Sequence, residues 1–221
     1  MKKPLIRVSK SALAGLLLAG ACVTLPLLAG NSPLPGNSHA YGKTLAQWED
    51  TYWRWTYGGL SLPTDGNGNA VVGHVVMMPL PNAPGDGTPA HLDVTLSSGQ
   101  PFVLPLWVLL GTDYSDGTPP DPLVPVSVFQ TLQLSLEIDG VKVVGCQNMM
   151  DYYSGFYFSP PVPLNFPPVK SIIWFEGIGT VHTPFSVGTH TIKLDAKNTQ
   201  GAFGAFFEYH NTWTVTVRPG K

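Results

Sequence analysis

Thr131-Leu-Gln-Leu-Ser-Leu-Glu-Ile-Asp-Gly-Val141 carries the clearest local signal in the chain. Leu132, Leu134, Leu136 and Ile138 alternate with Thr131, Gln133, Ser135 and Glu137. That period of two belongs to a strand with one dry face and one wet face. Asp139-Gly140 then supplies two residues that tolerate positive φ, the signature of a tight hairpin turn. The same alternation recurs outward along the chain: Leu92, Val94, Leu96; His190, Ile192, Leu194; and Trp213, Val215, Val217. Phe102–Leu110 is apolar on both faces and reads as a central strand, with Pro105 marking a bulge or an edge. Asp65-Gly-Asn-Gly-Asn69 and Gly99-Gln100 are further turn signals. Three Pro-rich stretches, Pro79–Pro89, Gly111–Pro125 and Ser159–Pro168, read as long connections folded over one end. The expectation is an all-β domain, a two-sheet β-sandwich of immunoglobulin-like or jelly-roll type.

One helix is expected at about residues 44–57. Thr44 followed three residues later by Gln47 fits a capping box, and Gly58-Gly59 is a stop. Leu45, Trp48, Tyr52 and Trp55 recur at spacings of three and four, so this N-terminal amphipathic helix should lay an aromatic face on the sheet. Glu49, Asp50 and Arg54 are expected on the other side.

The N-terminal forty residues read as a secretory signal peptide. Lys2, Lys3, Arg7 and Lys10 precede an apolar run from about Ala12 to Ala29, and Ser38-His39-Ala40 places small residues at −3 and −1 for cleavage before Tyr41. Pro26 interrupts the apolar run, which is short for a membrane anchor. The second reading is a lipoprotein processed at Cys22, from Leu18-Ala19-Gly20-Ala21-Cys22. Removing residues 1–40 discards four of the twelve basic residues and none of the fourteen acidic ones, leaving eight against fourteen and a net charge of −6. A secreted or surface-bound domain of 181 residues results, single and with no membrane span. An acidic chain without a Lys/Arg cluster excludes nucleic acid as a partner. It also lacks the basic patch that anionic membranes select. Cleavage at Ala40 removes Cys22 and leaves Cys146 without an intramolecular partner, expected as a buried apolar residue.

Candidate chemistry is sparse. Glu208 and His210 are two apart on a strand, and Glu176 and His182 share one side of an extended Ile172–His182 segment. Gathered together, these four could hold Zn²⁺. Asp113, Asp116 and Asp121 lie in one Gly/Pro-rich loop and offer hard oxygen ligands for Ca²⁺. A carboxylate pair for glycoside hydrolysis could come from Glu176, Glu208 and Asp151, though spacing selects none. No Gly-x-Ser-x-Gly elbow is present. Tyr152, Tyr153 and Tyr157, with Phe156 and Phe158, cluster before a Pro-rich loop, and Trp107 and Trp174 sit in strands. Tyr and Trp at a sandwich end can stack on sugar rings or anchor a protein partner.

Two resemblances add to this reading. Gly188-Thr-His-Thr-Ile-Lys-Leu-Asp-Ala-Lys-Asn-Thr-Gln-Gly201, with Asn211-Thr-Trp-Thr-Val-Thr-Val217, resembles the last two strands of bacterial immunoglobulin-like surface domains. Trp48–Trp55, Ile138-Asp-Gly-Val141 and the Gly188 segment are together similar to a group of uncharacterised secreted bacterial proteins with a Trp-rich opening helix and a β-domain. Some members of that group carry cysteines in the middle region, where this chain has none. Neither resemblance implies an activity or a catalytic residue. The function expected is a non-enzymatic binding or structural protein of the cell envelope or extracellular space, contacting carbohydrate or an envelope protein. The alternative is a secreted metal-dependent hydrolase with a Glu/His site.

Overall fold

The computed structural model describes residues 31–199 and 206–220. The first helix, α1, runs Leu45–Tyr57, and the predicted capping box is present in full. Thr44 Oγ1 accepts the Gln47 amide at 3.2 Å, and Gln47 Oε1 accepts the Thr44 amide at 2.9 Å. Ten strands follow among the described residues: β1 Val71–Val72, β2 Val75–Met77, β3 Asp86–Ser97, β4 Phe102–Tyr114, β5 Gln133–Ile138, β6 Val141–Gly145, β7 Tyr153–Phe166, β8 Val169–His182, β9 Gly188–Lys197 and β10 Glu208–Arg218. A one-turn helix, α2 Val126–Phe129, precedes β5. The strands form two five-stranded sheets, β1-β2-β4-β8-β7 and β3-β10-β9-β5-β6. Most neighbours are antiparallel, while β2–β4 and β3–β10 run parallel. The molecule is therefore mostly β and built as a two-sheet sandwich.

Asp139 and Gly140, both at positive φ (52° and 77°), make the β5–β6 turn where the sequence places it. The ladder between β4 and β8 shifts register at Pro105/Trp107, the bulge that Pro105 requires inside a central strand. All three expected connections are partly strand: Asp86–Pro89 belongs to β3, Gly111–Tyr114 to β4 and Ser159–Phe166 to β7. Strand β7 lies at the edge of its sheet, where Pro160, Pro161 and Pro163 break no obligatory ladder and hinder pairing with another chain.

Helix α1 covers β7 and β8. Its buried stripe is Leu45, Trp48, Glu49, Tyr52 and Trp53, so Trp53 takes the place expected for Trp55, which is only half-buried. Glu49, expected to face water, is completely buried. It fits because Gly179 on β8 has no side chain; a Cβ there would overlap the Glu49 carboxyl. Trp53 Nε1–H donates to Glu49 Oε2 at 2.8 Å, while Oε1 finds no partner among the described residues. Trp48 donates to the Ala40 carbonyl and Tyr52 to the Met78 carbonyl, so both of these buried aromatic tips are paired. On the other side of β8, Trp174 and Ile178 face the second sheet, whose core includes Leu136, Ile192, Trp213 and Val215. Gly111 on β4 pairs with Trp174 and makes room for its indole.

Burial raises the Glu49 pKa to about 8, against a smaller lowering by the Trp53 hydrogen bond. A carboxyl raised on folding is harmless below its unfolded value, near 4.5, and its protonation-linked stability is lost as pH climbs towards 8. Glu49→Gln keeps an acceptor for Trp53 and removes the ionisation. The variant is expected to match the parent near pH 4 and exceed it by roughly 3 kcal/mol at pH 7, as read by urea unfolding at the two pH values. Equal stability at both would show that Glu49 is not desolvated. Gly111→Ala, which drives a methyl into the Trp174 ring, should cost about 2–3 kcal/mol. Gly66→Ala, whose Cβ meets nothing, should stay within about 0.5 kcal/mol.

Candidate functional site

The structure separates the four residues suggested as zinc ligands. Glu208 and His210 lie on the outer face of β10, alternating with inward-facing Asn211, Trp213 and Val215. Glu176 and His182 are buried on β8 in the other sheet. Glu176 accepts the Val124 amide and the Tyr153 hydroxyl, each at 2.9 Å, and so ties the segment before α2 to β7. His182 stacks flat on Phe102 at 4.6 Å and shares a 2.9 Å hydrogen bond with Thr180 Oγ1. Burial drives its pKa down to about 3, against a smaller opposing effect of the Asn31 backbone, so the ring is neutral.

Glu208 and His210 do meet, and Asp195 of β9 joins them. His210 Nδ1 lies 2.6 Å from Asp195 Oδ1, and Nε2 lies 3.2 Å from Glu208 Oε1. Both ring nitrogens therefore face carboxylates. These contacts, Asp195 foremost, raise the His210 pKa above its usual 6.5. Pairing of β9 with β10 sets this geometry by placing His210 opposite Asp195. The spacing of Glu208 and His210 is legible in the sequence, whereas Asp195 joins them only through the pairing of β9 with β10.

The aspartates suggested as calcium ligands are each engaged elsewhere. Asp113 pairs with Lys170 at 2.9 Å, and that contact lowers its pKa. Asp116 closes a local turn on the Thr118 amide. Asp121 accepts from the Thr112 amide, the Thr112 hydroxyl and the Tyr114 hydroxyl, pinning the loop back onto β4. Among the described residues no group of three His, Cys, Asp or Glu side chains is arranged to hold a metal ion.

The aromatic candidates divide. Trp107 and Tyr152 are buried, and Tyr153 is half-buried against Phe129 and Glu176. Tyr157 alone of the four is open, 63% exposed on the β7 edge. Cys146 is exposed rather than buried, because it follows directly after β6 ends at Gly145 and leaves the inward alternation.

A different aromatic surface forms where α1 ends and β10 begins. Tyr57 stacks on buried Trp53 at 5.8 Å, with 13° between the rings, and is 48% exposed. Phe207 stacks on Tyr209 at 6.4 Å and 8°, and Tyr209 meets the edge of Trp107 at 5.8 Å. Phe206 beside them is 68% exposed. Burial, and then the Tyr57 hydroxyl, raise the Tyr209 pKa. Gly85, at φ 81°, backs the pair; a Cβ there would press on Phe207 and on the Tyr209 hydroxyl at about 3 Å. Glu208, paired with Asp86 across β3 and β10, points to the opposite face of β10 from Phe207 and Tyr209. Flat, partly exposed aromatic faces suit a ligand that offers an apolar face for stacking. Periodicity could not reveal this surface, because its members come from elements about 150 residues apart.

The chain matches no family model and no curated protein. Two solved structures are similar in part. One is the cysteine protease inhibitor EhICP2 from Entamoeba histolytica, 17% identical, covering 58% of this chain and 86% of that one, with a TM-score of 0.23. The other is Amebosin, 11% identical, covering 60% and 92%, with a TM-score of 0.16. Likenesses this low carry no argument about fold or function. Among the described residues no helix is long and apolar enough to cross a membrane.

The raised His210 pKa can be checked directly. In a titration followed by NMR, His210 should change charge above 6.5, and Asp195→Asn should bring its midpoint down. The stabilisation from this contact is present at low pH and lost as pH rises through the raised value. An unchanged midpoint in Asp195→Asn would refute the assignment.

Proposed function

We propose that the protein is an exported, non-enzymatic β-sandwich that binds a carbohydrate or envelope partner through the rim of Tyr57, Phe206, Phe207 and Tyr209. The observation that carries this reading is the pair of parallel ring stacks left partly open where α1 ends and β10 begins. Large aromatics are more often spent inside the core, and exposed clusters of them mark recognition surfaces. Export rests on the basic, apolar and small-residue order of the N-terminus. Ten strands in two five-stranded sheets favour the immunoglobulin-like type over an eight-stranded jelly roll.

The test is a glycan array together with capture from an envelope extract. The parent chain should retain a ligand, and Tyr57→Ala combined with Phe206→Ala should lower retention at least tenfold while leaving the melting temperature within about 2 °C. Both side chains are largely exposed, so their loss costs little stability. Failure to retain any ligand in either format would overturn the reading.

A further inference from the structure

Residues 31–40, which sequence alone assigns to a discarded leader, are built into the folded domain. The Leu34 amide donates to the Val181 carbonyl of β8 at 2.8 Å, and the Leu34 side chain packs on the core. Pro33 and Ala40 are buried. The Ala40 carbonyl accepts the buried indole N–H of Trp48 at 2.8 Å. Asn31 Nδ2 donates at 3.1 Å to Asp139 Oδ2, the same oxygen that holds His190 Nδ1 at 2.7 Å. Gly36 lies so close to the Asp151 carbonyl that a Cβ would overlap it. The segment thus touches β8, α1, the β5–β6 turn and the turn preceding β7.

A cut after Ala40 would remove all of this at once. Trp48 would keep a buried N–H with no acceptor, and part of β8 near Val181 would lose its cover. A signal peptide ending at Ala40 would also carry ten residues that serve the folded state. Sequence offers an alternative upstream, since Ala19 and Ala21 stand at −3 and −1 for a cut before Cys22.

We propose that export processing cuts upstream of Asn31 and that residues 31–40 persist in the mature protein as a strap across the sandwich. This rests on the export reading above. Among the possible cuts, one before Cys22 would leave that cysteine at the new N-terminus, and the mass of the product would show whether it carries a lipid.

The experiment is expression of the full chain in an exporting bacterium, followed by intact mass and N-terminal sequencing of the exported fraction. A first residue at or before Asn31 is the expected result, and a product starting at Tyr41 overturns the proposal while leaving export standing. Recovery only inside the cell with Met1 retained overturns export itself, and the proposal with it. Ser38→Glu, a half-buried position whose side chain has no role in the contacts above, provides the second arm. With the cut upstream, this variant should be exported and trimmed like the parent, and its product should still contain the substituted position. An untrimmed Ser38→Glu chain beside a trimmed parent would place the cut at Ala40 and overturn the proposal.

Discussion

Strand β8 must be buried on both faces, and the rest of the molecule is arranged to do it. From Ser171 to His182 only Ile173 is not fully buried. One face takes the aromatic stripe of α1, through contacts such as Trp53 with Phe175 at 6.2 Å. The other face supplies Trp174 and Ile178 to the core between the sheets. Each buried indole removes on the order of 200 Å² from water, worth roughly 5 kcal/mol as an upper estimate. Such bulk on both sides of one strand is possible only where its neighbours are thin. Gly111 yields to Trp174, and Gly179 yields to Glu49.

Double burial explains why polar groups near β8 are tied into the core by hydrogen bonds. Glu176 is held by a backbone amide and a tyrosine, and Thr180 bridges the Leu104 carbonyl and His182. In a medium of low dielectric these groups must be paired or neutral. His182 is neutral, and Glu49 resists ionisation. Charge pairs with freedom to act lie at the periphery instead, as with Asp195, His210 and Glu208 on the outer face of the second sheet.

Much of the fold is legible from local pattern. The β5–β6 hairpin needs only alternating apolar residues and two residues that accept positive φ, and both are contiguous in sequence. The cap of α1 is equally local, since Thr44 and Gln47 are three residues apart. The places where pattern misleads share one cause. Glu49 reads as water-facing because it is charged, yet its burial depends on a glycine 130 residues away. Ser159–Phe166 reads as a loop because of its prolines, which an edge strand tolerates and a central one does not. The aromatic rim and the strap of residues 31–40 are likewise made of contacts between distant segments.

The sequence by itself therefore determined the capped helix, the alternating strands, the Asp139-Gly140 turn and the low charge content, because these follow from neighbours along the chain. Tertiary structure alone decided which carboxylates are buried, which aromatics are left open and what residues 31–40 pack against. Those outcomes depend on what packs against each residue. In a sandwich whose long-range pairings run from Asp86 to Arg218, that partner is seldom nearby in sequence.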